Sequence, residues 1–162
     1  IKEVTMDKSL VTYMNKGGDH SIVTYSGGTA YGTLWGGNLS VLVSMIGTPF
    51  FPRINNNILF LEEVGEEPYR IDRMLTQLKQ AGVLDKCNGI ILGSFRKCTA
   101  EEPDRAFTLE EVFQQHFGNF GKPVFFGAQI GHTVNKMTVP IGGYASMDAD
   151  TGIFKLREPA VD

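Results

Sequence analysis

Three apolar runs limit what this chain can become. NILFLEE (57–63), NGIILGSF (88–95) and PVFFGAQI (123–130) are each bounded by turn residues and carry little alternation. A strand with one wet face alternates polar and apolar residues, so runs like these read as strands buried on both faces. Two segments at helical period lie between them. EEPYRIDRMLTQLKQAG puts Ile71, Met74, Leu75 and Leu78 on one stripe, with Pro68 in the first turn and Gly82 at the close. LEEVFQQHF follows a T-x-x-E capping box, Thr108 to Glu111, and stops at Gly118. Parallel strands need crossover connections, and helices supply them. The order therefore predicts a parallel βαβαβ core over residues 57–130.

Shorter pieces flank this core. HSIVTYSGGTAYGTLWGG (20–37) reads as one or two strands, SIVTYS and TAYGTLW. NLSVLVSMIG follows as a helix, with Asn38 as N-cap and Gly47 as the stop. ASMDADTGIFKL reads as a hairpin turning at Asp150-Thr151-Gly152. Residues 1–15 are weakly patterned, as a short helix or strand. The expected class is α/β, with antiparallel strands added to the parallel core.

The 162 residues suffice for one domain with a real core. A net charge of −3 implies no basic face, so nucleic acid is not an expected partner. No apolar run approaches the roughly 20 residues of a membrane span, so no membrane partner is expected. Cys87 and Cys98 make no disulfide framework and read as free thiols in a reducing compartment. The opening IKEVTMDKSL begins at Ile1 and reads as the interior of something longer. The chain is therefore expected to be a piece of a larger protein.

Ligands of open parallel sheets bind beyond the carboxyl ends of the strands. Glu62 and Glu63 end the first predicted core strand, and His132 follows the third. One sheet edge would hold them together. A carboxylate bonded to one ring nitrogen fixes the tautomer of a histidine and stabilises the imidazolium it forms on taking a proton. The competing readings are a turn histidine and a solvated strand end. His116, late on a helix, reads as a partner of the helix dipole, and His20 beside Asp19 as loop. No spacing of ligands points to a metal. The nucleophile is harder to find. Ser26 in YSGG, Ser94 in GSF and Cys98 are the candidates, and none stands in a G-x-S-x-G elbow.

GTLWGGNLSVLVSMIGTPF, ILFLEEVGEEPYRIDRMLTQLKQAGVL, GIILGSF and PVFFGAQIGHTVNKMTVPIG, in that order, resemble the LD-carboxypeptidase family of serine peptidases, from about residue 27 to about 157. The same family includes self-immunity peptidases acting on antibiotics of the microcin C class. The resemblance implies a swivelling β/β/α-type fold and a two-domain enzyme of which this chain is the carboxy-terminal domain. The amino-terminal domain would hold the nucleophilic serine and the oxyanion hole. The family's triad glutamate maps to Glu62 and its histidine to His132, while its serine has no counterpart here. Gly36, Gly37 and Asn38, in the GGNL motif, and Gly131 would contact substrate. Backbone amides of the GGN stretch facing a substrate carboxylate are one reading of that motif, and helix capping with tight packing is the other. Tyr69, Arg70, Asp72 and Arg73 read as structural.

The implied activity is removal of the terminal D-alanine from murein tetrapeptide during peptidoglycan recycling, in the cytoplasm, by a homodimer and without a cofactor. Three alternatives stand beside it. One is a microcin-type peptidyl nucleotide as substrate, with Trp35 as a contact for the base. Another is a non-catalytic binding module, and the last is a free-standing esterase using Ser94.

Overall fold

The structure is a computed structural model, which describes residues 12–13, 22–134 and 136–157. The expectations for His20 and Asp19, and all but Thr12–Tyr13 of the amino-terminal stretch, lie outside the described residues. The strands are β1 (Thr12–Tyr13), β2 (Val23–Ser26), β3 (Thr29–Asn38), β4 (Asn57–Val64), β5 (Cys87–Arg96), β6 (Val124–Phe126), β7 (Tyr144–Asp148) and β8 (Ile153–Leu156). The helices are α1 (Leu39–Ser44), α2 (Pro68–Gln80) and α3 (Leu109–Phe117).

All the strands join one sheet in the order β1-β8-β7-β3-β4-β5-β6-β2. β3, β4, β5 and β6 are parallel neighbours, and the outer strands pair antiparallel. The parallel core thus has four strands where the sequence predicted three. β3 is the added one, and α1 is its crossover to β4. Its alternating pattern of exposed and buried residues at Thr29–Leu34 resembles an antiparallel edge, because that half pairs antiparallel with β7 before the strand turns its other side to β4.

Each crossover advances one strand in the same direction. Right-handed connections then put all three helices on one face of the sheet. The two cores follow from that layering. On the helix face, Leu59 and Leu61 of β4 meet Leu39, Leu75, Leu78, Phe113 and Phe117. On the other face, Ile58 and Phe60 meet Ala145, Met147, Phe154 and Leu156, as the antiparallel strands curl over the parallel ones. The result is the expected α/β class in β/β/α layers.

Local chemistry sets the element ends. Asn38 caps α1, its Oδ1 accepting from the Val41 N–H at 3.1 Å. α1 ends at Ser44, short of the predicted Gly47, which carries φ +85° in the following turn. α2 buries Pro68, Ile71, Met74, Leu75 and Leu78. The Thr108–Glu111 capping box forms with both reciprocal bonds. Asp148 Oδ1 accepts from the N–H groups of Asp150 and Thr151, which closes the hairpin before Gly152 at φ +65°.

Two expectations are corrected. The third core strand stops at Phe126 and does not run to Ile130, because Gly127 at φ +104° breaks the extended backbone. The segment then leans back on β5, where Ser94 N–H donates to Ile130 O at 2.8 Å. His116 is also more than a dipole partner. Its ring is buried, and Nε2 lies 2.7 Å from Asp72 Oδ1, which ties α3 to α2.

Candidate active site

β4 delivers two adjacent carboxylates to its carboxyl end, and strand parity sends them to opposite faces. Glu63 shares the parity of Leu59 and Leu61 and points to the helix side. There it accepts from Asn38 Nδ2 at 2.8 Å, Ser40 N–H at 2.9 Å, Ser40 Oγ at 2.6 Å and Val64 N–H at 2.9 Å. Burial pushes its pKa upward, but the bonds from Ser40, Val64 and Asn38 together outweigh this and hold it below the ordinary 4.5. Glu63 is therefore an ionised clamp between β4 and the start of α1.

Glu62 shares the parity of Ile58 and Phe60 and points to the strand side, where the segment after β6 passes. Its Oε2 lies 2.7 Å from His132 Nδ1 and accepts the His132 backbone N–H at 3.3 Å. A carboxylate only accepts, so Nδ1 carries the proton and Nε2 keeps its lone pair. The Glu62 side chain is 7% exposed and that of His132 is 58% exposed. A buried carboxyl group thus orients an imidazole ring that is largely exposed.

The loop carrying His132 is pinned at its base, with Met137 N–H donating to Gln129 O at 2.7 Å. Gly131 takes φ +107°, and a Cβ there would stand 2.5 Å from Glu62 Oε2. Only glycine lets the backbone lie against this carboxylate. Gly36, Gly37 and Asn38 run beside the same site, paired with Phe60, Leu61 and Glu62. A Cβ on Gly36 would stand 1.8 Å from Phe60 O, so close strand approach demands that glycine. The Asn38 side chain is taken up by Val41 and Glu63.

None of the three internal nucleophile candidates is presented to His132. Ser94 is 2% exposed, and its Oγ is buried with no hydrogen-bond partner. Ser26 pairs with Val124 at the amino end of β6, across the sheet from the His132 edge. Cys98 is buried on the Glu63 side, and burial pushes its thiol pKa up. The Ser94 esterase therefore has no accessible nucleophile.

Among the described residues, no group of three or more His, Cys, Asp or Glu could hold a metal ion, and no helix is long and apolar enough to cross a membrane. A hollow of about 330 Å³, lined by Ile46, Phe51, Ile54, Val83 and Lys86 among others, lies at the opposite end of β4. It is separate from Glu62 and His132, whose ring stands on open surface.

Sequence reasoning missed Ser40 and Arg96. Ser40 supplies two of the four bonds to Glu63. Arg96 ends β5 and donates from Nη1 to His132 O at 3.3 Å. The strand-end rule that selected Glu62 would also have selected Arg96.

A carboxylate-oriented histidine at the carboxyl edge of a parallel sheet has the geometry a general base needs. The comparisons give that class a family. The LD-carboxypeptidase C-terminal domain family matches residues 31–147, and the chain belongs to it. It is 42% identical over 121 residues to a probable murein peptide carboxypeptidase of Bacillus subtilis (strain 168), covering 75% of this chain and 38% of that protein. It is 32% identical over 139 residues to the microcin C7 self-immunity protein MccF of Escherichia coli, covering 83% and 39%. The crystal structure of muramoyltetrapeptide carboxypeptidase from Oxalobacter formigenes matches with a TM-score of 0.73 at 36% identity, over 91% of this chain and 48% of that one. The chain spans about two fifths of the length of the curated relatives it matches.

Proposed function

We propose that this chain is the carboxy-terminal half of a serine-type LD-carboxypeptidase that removes the terminal D-alanine of murein tetrapeptide. The observation that carries the reading is the 2.7 Å contact of His132 Nδ1 with buried Glu62, which leaves an exposed ring. The nucleophilic serine and oxyanion hole belong to an amino-terminal domain outside these 162 residues.

In this reading the serine Oγ attacks the carbonyl before D-alanine and passes its proton to His132 Nε2. Glu62 holds the imidazolium. His132 then gives the proton to the leaving amine, the C–N bond breaks, and an acyl-enzyme remains. Water attacks the ester, His132 accepts its proton and gives it to the serine Oγ as the C–O bond breaks, and the shortened peptide leaves. The backbone of Gly36, Gly37, Asn38 and Gly131 borders the bound peptide. The catalytic steps need no cofactor. Two buried free thiols are in keeping with the cytoplasm, where peptidoglycan is recycled. The full protein works there as a homodimer.

Similarity to MccF supports a second reading, in which the substrate is a microcin-type peptidyl nucleotide. Trp35, the side chain considered for the base, instead packs half-buried against the helix-side core.

The test is a paired assay. Murein tetrapeptide is incubated with this chain and, separately, with the full-length parent, and loss of terminal D-alanine is followed by mass spectrometry. Loss with the parent alone is the expected result. Loss with this chain alone would overturn the split site. Loss with neither would turn attention to the peptidyl nucleotide or to a non-catalytic module.

A further inference from the structure

Arg96 stands at the edge of the site with a charge that the fold does not use. Its backbone is fixed. It pairs with Val64 in the β4–β5 ladder, and its carbonyl accepts from Gly65 N–H at 2.9 Å and from the Cys98 thiol at 3.4 Å. Lys97, at φ +54°, then turns the chain away. The Arg96 side chain is exposed and reaches across to the His132 carbonyl. That contact, at 3.3 Å, is long for an N–H···O bond and engages one of five guanidinium donors.

The neighbouring carboxylates do not claim this cation. Glu62 is bonded to His132, and Glu63 faces inward to Ser40, Asn38 and Val64. Among the described residues Arg96 enters no ion pair. Its cationic fork therefore lies beside His132, on the exposed carboxyl edge of the sheet.

An enzyme that removes one terminal residue must read the end of its substrate. That end is a carboxylate, one Cα beyond the leaving nitrogen. The carboxyl carbon is two bonds from the nitrogen that His132 protonates, so the group that recognises it must stand on the same edge of the site. Arg96 stands on that edge, its guanidinium 3.3 Å from the His132 carbonyl, and its planar fork matches a carboxylate in two parallel bonds. The helix start at GGNL offers less, since α1 has only six residues and the Asn38 side chain is committed.

We propose that Arg96 is the specificity-determining residue that binds the terminal carboxylate of the substrate. The proposal rests on the carboxypeptidase reading above. It is tested in the full-length protein with two peptides, the tetrapeptide ending in a free carboxylate and the same tetrapeptide ending in a carboxamide. Hydrolysis of both is measured for wild type, Arg96→Ala and Arg96→Lys, and binding of both by calorimetry on the His132→Ala background with and without Arg96→Ala.

Arg96→Ala is expected to lower kcat/KM for the acid about 10- to 100-fold, mainly through KM, and to leave the carboxamide unchanged. Arg96→Lys retains part of the preference. An equal fall for both peptides would overturn the proposal and make Arg96 a support of the His132 loop. An undiminished preference for the acid would overturn it as well. If the parent cleaves neither peptide but binds the acid through Arg96, the carboxypeptidase reading fails and the Arg96 site stands. If it neither cleaves nor prefers the acid, both fail.

Discussion

On the helix side of the sheet, Glu63 is enclosed by four donors from β3, α1 and β4, while on the strand side Glu62 accepts from the ring and the backbone N–H of His132. The two residues share a strand end and a side-chain chemistry. Glu63 has no capacity left for a reactant, and its ionised form holds elements together. Glu62 orients a ring that reaches solvent. An alternation of one residue along β4 thus separates a carboxylate enclosed by the fold from one bonded to an exposed histidine.

The largest expected effect breaks this pair apart. In the full-length protein, Glu62→Gln keeps the size of the side chain but removes the charge that fixes the Nδ1–H tautomer. Turnover is expected to fall on the order of 10⁴-fold with the fold retained. Glu63→Gln is expected to keep most of its turnover at a temperature where the protein is folded. Steady-state rates and circular dichroism on both variants decide the matter, and equal losses of turnover would end the distinction.

Gly131 guards the Glu62 side. Gly131→Ala forces a Cβ toward Glu62 Oε2 and holds an L-residue at φ +107°, at a cost of about 3 kcal/mol. Gly37→Ala is the control. Its φ is +154°, but its Cβ would meet nothing within 4 Å. Denaturant unfolding of the two variants should show the larger loss at Gly131. If the two losses are alike, the cost lies in the backbone and not in the carboxylate contact.

Glu63 should reveal itself in the pH dependence of stability. Its folded pKa lies below the ordinary 4.5. A depressed carboxylate contributes stability that is complete above its unfolded pKa and is lost as pH falls through its folded pKa. Glu63→Gln is expected to cost about 2 kcal/mol near neutral pH, the scale of a hydrogen bond to a charged group. The gap between wild type and variant should narrow as pH drops below 4.5. A gap that stays constant with pH would show that the charge of Glu63 is not what the clamp uses.

The sequence made some of this visible and hid the rest for physical reasons. α2 and α3 were legible because their signals are local: an apolar stripe, a proline in the first turn, a capping box. The edge rule brought Glu62 and His132 to the same side of the sheet before any geometry was known. It did not separate Glu62 from Glu63. That depends on which face carries the helices, and only the resemblance to the carboxypeptidase family favoured Glu62. β3 was read as a flanking strand because its first half pairs antiparallel, and Gly127 cut the third core strand short. Ser40 stayed hidden because its partner lies 23 residues away and no local pattern records such a contact, whereas Arg96 ends β5 and the same edge rule could have found it.

The smallest effect sharpens the comparison through Cys98. Burial is the main reason that its thiol pKa is raised, and the negative charge of Glu63 adds to it. A buried thiol with a raised pKa has little thiolate near neutral pH, so the native protein should react slowly with a thiol reagent. Glu63→Gln removes the nearby charge and loosens the clamp that joins β4 to α1. Cys98 should then label severalfold faster. Cys87, whose pKa burial pushes up to about 12, should remain slow. Glu62→Gln should leave both cysteines as they are, since Glu62 faces the other core. Site-resolved labelling by mass spectrometry reads both thiols at once. Acceleration of Cys98 by the Glu62 variant would mean that the two faces are mechanically coupled, and the division of labour between neighbouring carboxylates would have to be redrawn.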